Sequence, residues 1–317
     1  ISVFSYKILH SETNGFALDH LLGSGEFGTV HCGVLGLKFR GICTGVAGDS
    51  ARANNENYRQ CAVAVKKLDI TPGATIEDRN RQILDFRAQT RWLHLLSHPH
   101  ILQPIGVCYD PLCLIYPRLS RNVRSSLEVD VKTLGSFFPW RARVTAVLDA
   151  AAGLSFMHAE KAVHRNISLE NILLDEGGNA YLSDIGLIRC HFDSHAATMH
   201  RAVGEIGFVD PEFFLSSTLT AASDIFSLGR VLTCFLKGRS ELDEQDILTP
   251  TGDNQTQCHE HGHIAVVGDY RVEVSGSWPR EQGRQAAELS TQMCCQERVA
   301  RPDASTVIKS LENLLLL

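Results

Sequence analysis

Several features that would settle a protein's class at once are missing from this chain. Its 317 residues carry 30 Lys and Arg against 36 Asp and Glu, a formal charge of −6. The basic excess that binding to a phosphate backbone needs is therefore absent, and nucleic acid is not an expected partner. Only 10 residues are proline while 44% are hydrophobic, which excludes long disordered, collagen-like and low-complexity segments. No uninterrupted apolar run reaches the roughly 18 to 20 residues that span a bilayer. Ile1 to His10 lack the charged and apolar regions of a signal peptide, so no membrane contact is expected from this segment. The ten cysteines are scattered, as at Cys32, Cys61, Cys108 and Cys190, without the tight framework of a small secreted fold. They read as reduced thiols in a cytoplasmic setting. The chain begins with Ile1, as expected of a piece of a longer protein such as the intracellular part of a receptor or adaptor.

What is present changes texture about a third of the way along. Phe16 to Leu37 and Cys61 to Leu68 have the β-branched residues and Gly punctuation of strands. Thr75 to Ser97 carries Ile76, Ile83, Phe86, Leu93 and Leu96 at mostly helical spacing. Farther on, Pro139 to His158 and Leu219 to Leu236 read as helices, the second apolar almost all round and so buried. Residues 36–60 look like a loop inserted between strands, and 240–284 like a polar surface insertion. Cys258, His259, His261 and His263 in the latter are of types that suit zinc, but the spacing is poor and no Cys pair follows, so a solvated loop is favoured.

Gly23-Ser24-Gly25-Glu26-Phe27-Gly28 could bring backbone N–H groups to phosphate oxygens without Cβ obstruction, or could simply turn a hairpin. Val63-Ala64-Val65-Lys66 puts a cation in a strand, where it faces an anion or lies at an edge. The combination is more specific. His164-Arg165-Asn166, Asn171, Asp184-Ile185-Gly186 and Asp210-Pro211-Glu212 follow in the order and approximate spacing of the protein-kinase signature set. On these motifs the chain resembles a eukaryotic protein kinase over residues 12–314. VHRNISLENILLD and GEIGFVDPEFF look most like the plant receptor-like kinases and the animal Pelle and interleukin-receptor-associated kinases.

The resemblance implies an α+β, bilobal fold: a small β-rich N-lobe over 12–115, a hinge at 116–120 and a mainly helical C-lobe over 121–314. It implies ATP and Mg²⁺ as cofactors. Gly23, Gly25 and Gly28 would cover the phosphates, Lys66 would contact them, and Asn171 and Asp184 would hold Mg²⁺. Val30, Ala64 and Leu173 match the apolar positions around adenine, and Tyr116 would open the hinge. Glu212 and Arg301 match a buried ion pair, and Asp224 the carboxylate that supports the catalytic loop. Arg165 could pair with a phosphate on Ser194 or Thr198, two hydroxyls of the activation segment.

Four features depart from the pattern, the second of them spread over two positions. Asn166 stands where an active kinase has Asp, and a neutral amide is a poor general base. Ser168 replaces the Lys that neutralises the transferring group, and Glu170 the Arg of tyrosine kinases. Gln89 falls where a Glu should hold Lys66, with Asp85 one turn earlier. Glu205 replaces a Thr and would repel an incoming phosphoryl group. Loss of the base alone costs about 10² to 10⁴ in rate, or about 3 to 5 kcal/mol. The expectation is an ATP/Mg-binding pseudokinase that acts as a scaffold or allosteric partner in a signalling complex, with an active kinase among its candidate protein partners. The alternatives are a weakly active serine/threonine kinase and a nucleotide-free interaction module.

Overall fold

The computed structural model describes residues 1–25, 28–38, 58–69, 75–132, 138–185, 205, 207–242 and 278–316. Contacts divide the chain into two compact units, 1–97 with 102–119 and 98–101 with 120–317. The first is built on a sheet and the second mainly on helices, an α+β architecture.

In the first unit the strands are β1 (Ser2–Val3), β2 (Leu21–Gly25), β3 (Gly28–Lys38), β4 (Tyr58–Leu68), β5 (Gly106–Tyr109) and β6 (Leu112–Pro117). They form one sheet in the order β1-β5-β6-β4-β3-β2. The stretch expected as strand from Phe16 begins with a 3-10 turn, Leu18–His20, before β2. The expected insertion at 36–60 is narrower, because the β3–β4 ladder continues through Gly36↔Gln60 to Lys38↔Tyr58.

Parity of the register gives the sheet two different faces, since successive residues of a strand point to opposite sides. Val30 lies opposite Lys66, and Ala64 opposite Tyr116. Lys66 and Ala64 are two apart, so all four side chains share one face. The other face carries Val63, Val65, Cys108, Cys113 and Ile115, which cluster with Leu35 and with Leu9 of α1 (Tyr6–Glu12). The N-terminal segment that closes this core was not anticipated. β1 runs parallel to β5 with Ser2 opposite Gly106, and Phe4 packs so closely that a Cβ on Gly106 would meet its ring at 2.3 Å.

Helix α2 (Ile76–Leu95) starts one residue after the expected start and by a reciprocal cap. The Thr75 hydroxyl accepts from the Asp78 N–H, and the Asp78 carboxylate accepts from the Thr75 N–H, both at 3.1 Å. Phe86 and Leu93 on it are buried.

The second unit contains the small sheet β7-β8-β9 (Arg121–Asn122, Ile172–Leu174, Ala180–Leu182). Its helices are α3 (Val123–Lys132), α4 (Trp140–Ala159), α5 (Pro211–Ser216), α6 (Ala221–Lys237), α7 (Arg280–Met293) and α8 (Ala304–Leu316). Helix α4 packs against α6, α8 and β9, and α6 against α7. The helix expected to be buried is α6, with Leu228, Val231, Leu232 and Phe235 all at 0% exposure. It stops at Gly238, whose φ of 62° is a left-handed C-cap that glycine takes without steric cost. The polar insertion ends by Arg280, where α7 begins. Cys258, His259, His261, His263, Ser194 and Thr198 lie outside the described residues.

Candidate functional site

The three loop glycines of the first unit have different physical reasons. Gly28 is buried with φ 136°, and a Cβ there would sit 2.0 Å from the Lys67 carbonyl oxygen, so the β3–β4 ladder itself demands glycine. Gly23 and Gly25 are exposed, and a Cβ on either would meet nothing within 4 Å. Packing does not explain them. Val30, Ala64, Lys66 and Tyr116 share a sheet face, as their registers require. Burial pushes the Lys66 ammonium down from 10.5 to about 8, because a charge loses hydration in the interior. On α2, Gln89 is half-buried and Asp85 exposed.

In the second unit Asp224 of α6 organises the loop at 164–166. Its carboxylate accepts from the backbone N–H groups of His164 and Arg165, both at 2.8 Å, and from His158 Nε2 at 2.9 Å. Arg165 is thereby held at a left-handed φ of 71°. His164 is buried, and burial lowers its pKa. The neutral ring accepts the Asn166 N–H at Nδ1, at 3.3 Å. Asn166 then donates its side-chain amide to Asp184 Oδ2 at 3.3 Å, and Asn171 donates to the Asn166 carbonyl at 2.8 Å. Asp184 itself has φ 67°. Asn166, Asn171 and Asp184 are thus one hydrogen-bonded group. Ser168 is buried, and Leu173 is half-buried on β8 opposite Tyr181.

This group fits Mg²⁺ of a particular kind. Both donations use nitrogen atoms, so the groups that would face a cation are the Asn171 amide oxygen and the Asp184 carboxylate. Mg²⁺ is usually held by one or two carboxylates together with substrate phosphates. Among the described residues no cluster of three or more His, Cys, Asp or Glu could hold a metal by itself.

Two expectations about charges need correction. The buried partner of Arg301 is Asp210, not Glu212: Arg301 NH2 lies 2.9 Å from Asp210 Oδ1, with both side chains fully buried. Asp210 is the N-cap of α5, accepting from the Glu212 N–H, and it also receives Ser223 Oγ and Arg298 Nε, each at 2.7 Å. Burial alone would raise its pKa, but these donors, led by Arg301, hold it below the usual carboxylate value. Glu212 instead lies half-exposed, 3.3 Å from Arg298. Two acids separated by one residue look alike in sequence; the cap turns the first inward.

The second concerns Glu205, expected as a carboxylate that would repel an incoming phosphoryl group, near a loop in which neither Ser168 nor Glu170 supplies a cation. Arg124 of α3 supplies one. Its guanidinium pairs with Glu205, lies 3.2 Å from Glu170 and donates to the Ser240 carbonyl at 3.0 Å. Its backbone N–H bonds the Leu169 carbonyl, next to Ser168. No local motif marks Arg124, since Glu205 is 81 residues away.

A curated receptor-like cytoplasmic serine/threonine-protein kinase from Nicotiana benthamiana, named as interacting with EPD1, is 29% identical over 99% of this chain and 64% of its own length. A similarly named kinase from Gossypium barbadense is 32% identical over 99% of the chain and 64% of its own length. Receptor-like cytoplasmic kinase 176 of rice, Oryza sativa subsp. japonica, is 28% identical over 99% of the chain and 76% of its own length. The chain therefore spans about two thirds to three quarters of these relatives. The family described as protein tyrosine and serine/threonine kinase matches residues 16–257, and this chain belongs to it.

Proposed function

We propose that this domain binds ATP with Mg²⁺ and transfers the γ-phosphoryl group to serine or threonine hydroxyls of proteins, at a rate well below that of an ordinary kinase. The family generally uses ATP and Mg²⁺, and the relatives are named serine/threonine kinases. Gly23, Gly25 and Gly28 would cover the phosphates and Lys66 would contact them. Val30, Ala64, Tyr116 and Leu173 would surround the base, and Asn171 and Asp184 would hold the metal. Bound Mg²⁺ would neutralise charge on the phosphate oxygens.

The observation that carries the reading is the bond from the Asn166 amide to Asp184. With the nitrogen so engaged, the amide oxygen is left to accept a substrate hydroxyl. It can orient that hydroxyl but hardly take its proton. Loose phosphoryl transfer tolerates this in part, because the protein contributes mainly positioning and electrostatics. A second reading, a scaffold that binds nucleotide without turnover, is supported by Gln89 and Ser168, two further departures from the active pattern. The names of the relatives, and the absence among the described residues of a helix long and apolar enough to cross a membrane, support a cytoplasmic place for either. So does the likeness to receptor-like and Pelle-class kinases.

Radiolabelled ATP incubated with the purified chain and a protein substrate tests both readings. Turnover below the typical range of about 1 to 100 per second is expected, rising by about 10² to 10⁴ in Asn166→Asp. Nucleotide-dependent thermal stabilisation without any labelled product would favour the scaffold. Ordinary turnover by the unaltered chain would overturn both.

A further inference from the structure

The face of the first sheet that points away from Lys66 holds a feature unrelated to nucleotide. Cys108 of β5 and Cys113 of β6 are direct partners in the antiparallel register, so their side chains stand side by side on one face. Directly opposed residues of an antiparallel pair have Cα atoms about 4.5 to 5.5 Å apart, within the range of about 4.4 to 6.8 Å that a disulfide bridges. Both are free thiols, with exposures of 2% and 0%. They share a buried cluster with Leu9, flanked by Phe4 and Phe16, so the N-terminal segment helps to enclose them.

That cover is lightly fastened. β1 contributes two residues to the sheet, both exposed, and α1 has seven residues with Leu9 alone buried. Beyond these, Thr13 is the one other buried residue of 1–16, and the Ser2 and Phe4 N–H groups bond the Ile105 and Val107 carbonyls; a segment with two buried residues opens at lower free energy than the sheet beneath it.

We propose that Cys108 and Cys113 are a reversible dithiol–disulfide site, sheltered by residues 1–16 and oxidised by a hydroperoxide when that segment lifts. One thiolate attacks the peroxide oxygen, forming a sulfenic acid and releasing water. The second sulfur then displaces hydroxide from it, which leaves as a second water. Two thiols and one hydrogen peroxide thus give one disulfide and two waters. In the closed state burial raises both thiol pKa values, Cys113 to about 12, which keeps the pair inert. Disulfides of this transient kind are the ones found in reducing compartments.

The test is peptide mapping of the whole chain after treatment with hydrogen peroxide. Trypsin leaves both cysteines in one peptide, 92–118, which has no internal Lys or Arg and no other Cys. That peptide should become lighter by two hydrogens and resist alkylation until dithiothreitol is added. Leu9→Ala should speed the change at least about tenfold, through the lost burial of the cover. Cys113→Ser should stop at a sulfenic acid on Cys108 that dimedone traps. Two outcomes would overturn the proposal: the peptide staying fully alkylated in the unaltered chain while the more accessible Cys32 and Cys295 react, or an oxidation rate that Leu9→Ala leaves unchanged. The first needs no variant to fold.

Discussion

The two units bury their charges at different cost. Around Asp224 and Asp210 every buried carboxylate is met by donors from its own unit: backbone N–H groups and His158 for the first, Arg301, Arg298 and Ser223 for the second. Lys66 is instead a cation whose ammonium is pushed toward neutrality by burial. The loop at 164–166 is therefore held by donors of its own unit, whereas the strand lysine carries a desolvation cost.

The comparison breaks most readily at Arg301. Replacing it by Leu leaves the Asp210 charge buried with fewer donors, and breaking such a pair typically costs about 3 to 5 kcal/mol. Urea unfolding of Arg301→Leu should show a loss of that size at neutral pH, shrinking in acid as pH falls below the ordinary carboxylate value of 3.8 and Asp210 is protonated. A loss below about 1 kcal/mol would mean that Arg298 and Ser223 suffice.

Lys66→Met should act in the other direction. A shift from 10.5 to about 8 corresponds to about 3 kcal/mol of destabilisation. The unfolded chain binds more protons between these values, so the apo protein should gain stability as pH rises from about 8 to 10.5. The variant should match or exceed the parent's stability by up to about 3 kcal/mol below pH 8, lose that advantage above 10.5, and show no thermal shift with MgATP. Equal destabilisation of Lys66→Met at all pH values would contradict the assignment. The smallest effect is local: Thr75→Ala removes one half of the α2 cap and should cost about 1 kcal/mol, read from thermal melting of the apo domain.

How much of this was legible beforehand depended on how far apart the partners lie in sequence. The start of α2 near Thr75 and the burial of α6 are local patterns, and the structure places them where periodicity put them. Asp210 against Glu212 was not separable by spacing, because which acid turns inward is set by an N-cap geometry and by Ser223, Arg298 and Arg301 farther along. Arg124 was invisible because its partners, Glu170 and Glu205, are distant. The N-terminal strand and helix were missed because Ser2 pairs with Gly106, and nothing in Ile1 to His10 announces a strand two residues long.

The alternating sides of β4 have a consequence for how this domain tolerates change. Lys66 and Ala64 look one way, Val65 and Val63 the other. A shift of the ladder by a single rung would carry the ammonium into the greasy layer beneath Leu9 and turn the valines toward water. Lengthening β4 by one residue within this ladder should therefore be far more damaging than adding a residue beyond its last paired rung, Lys38↔Tyr58.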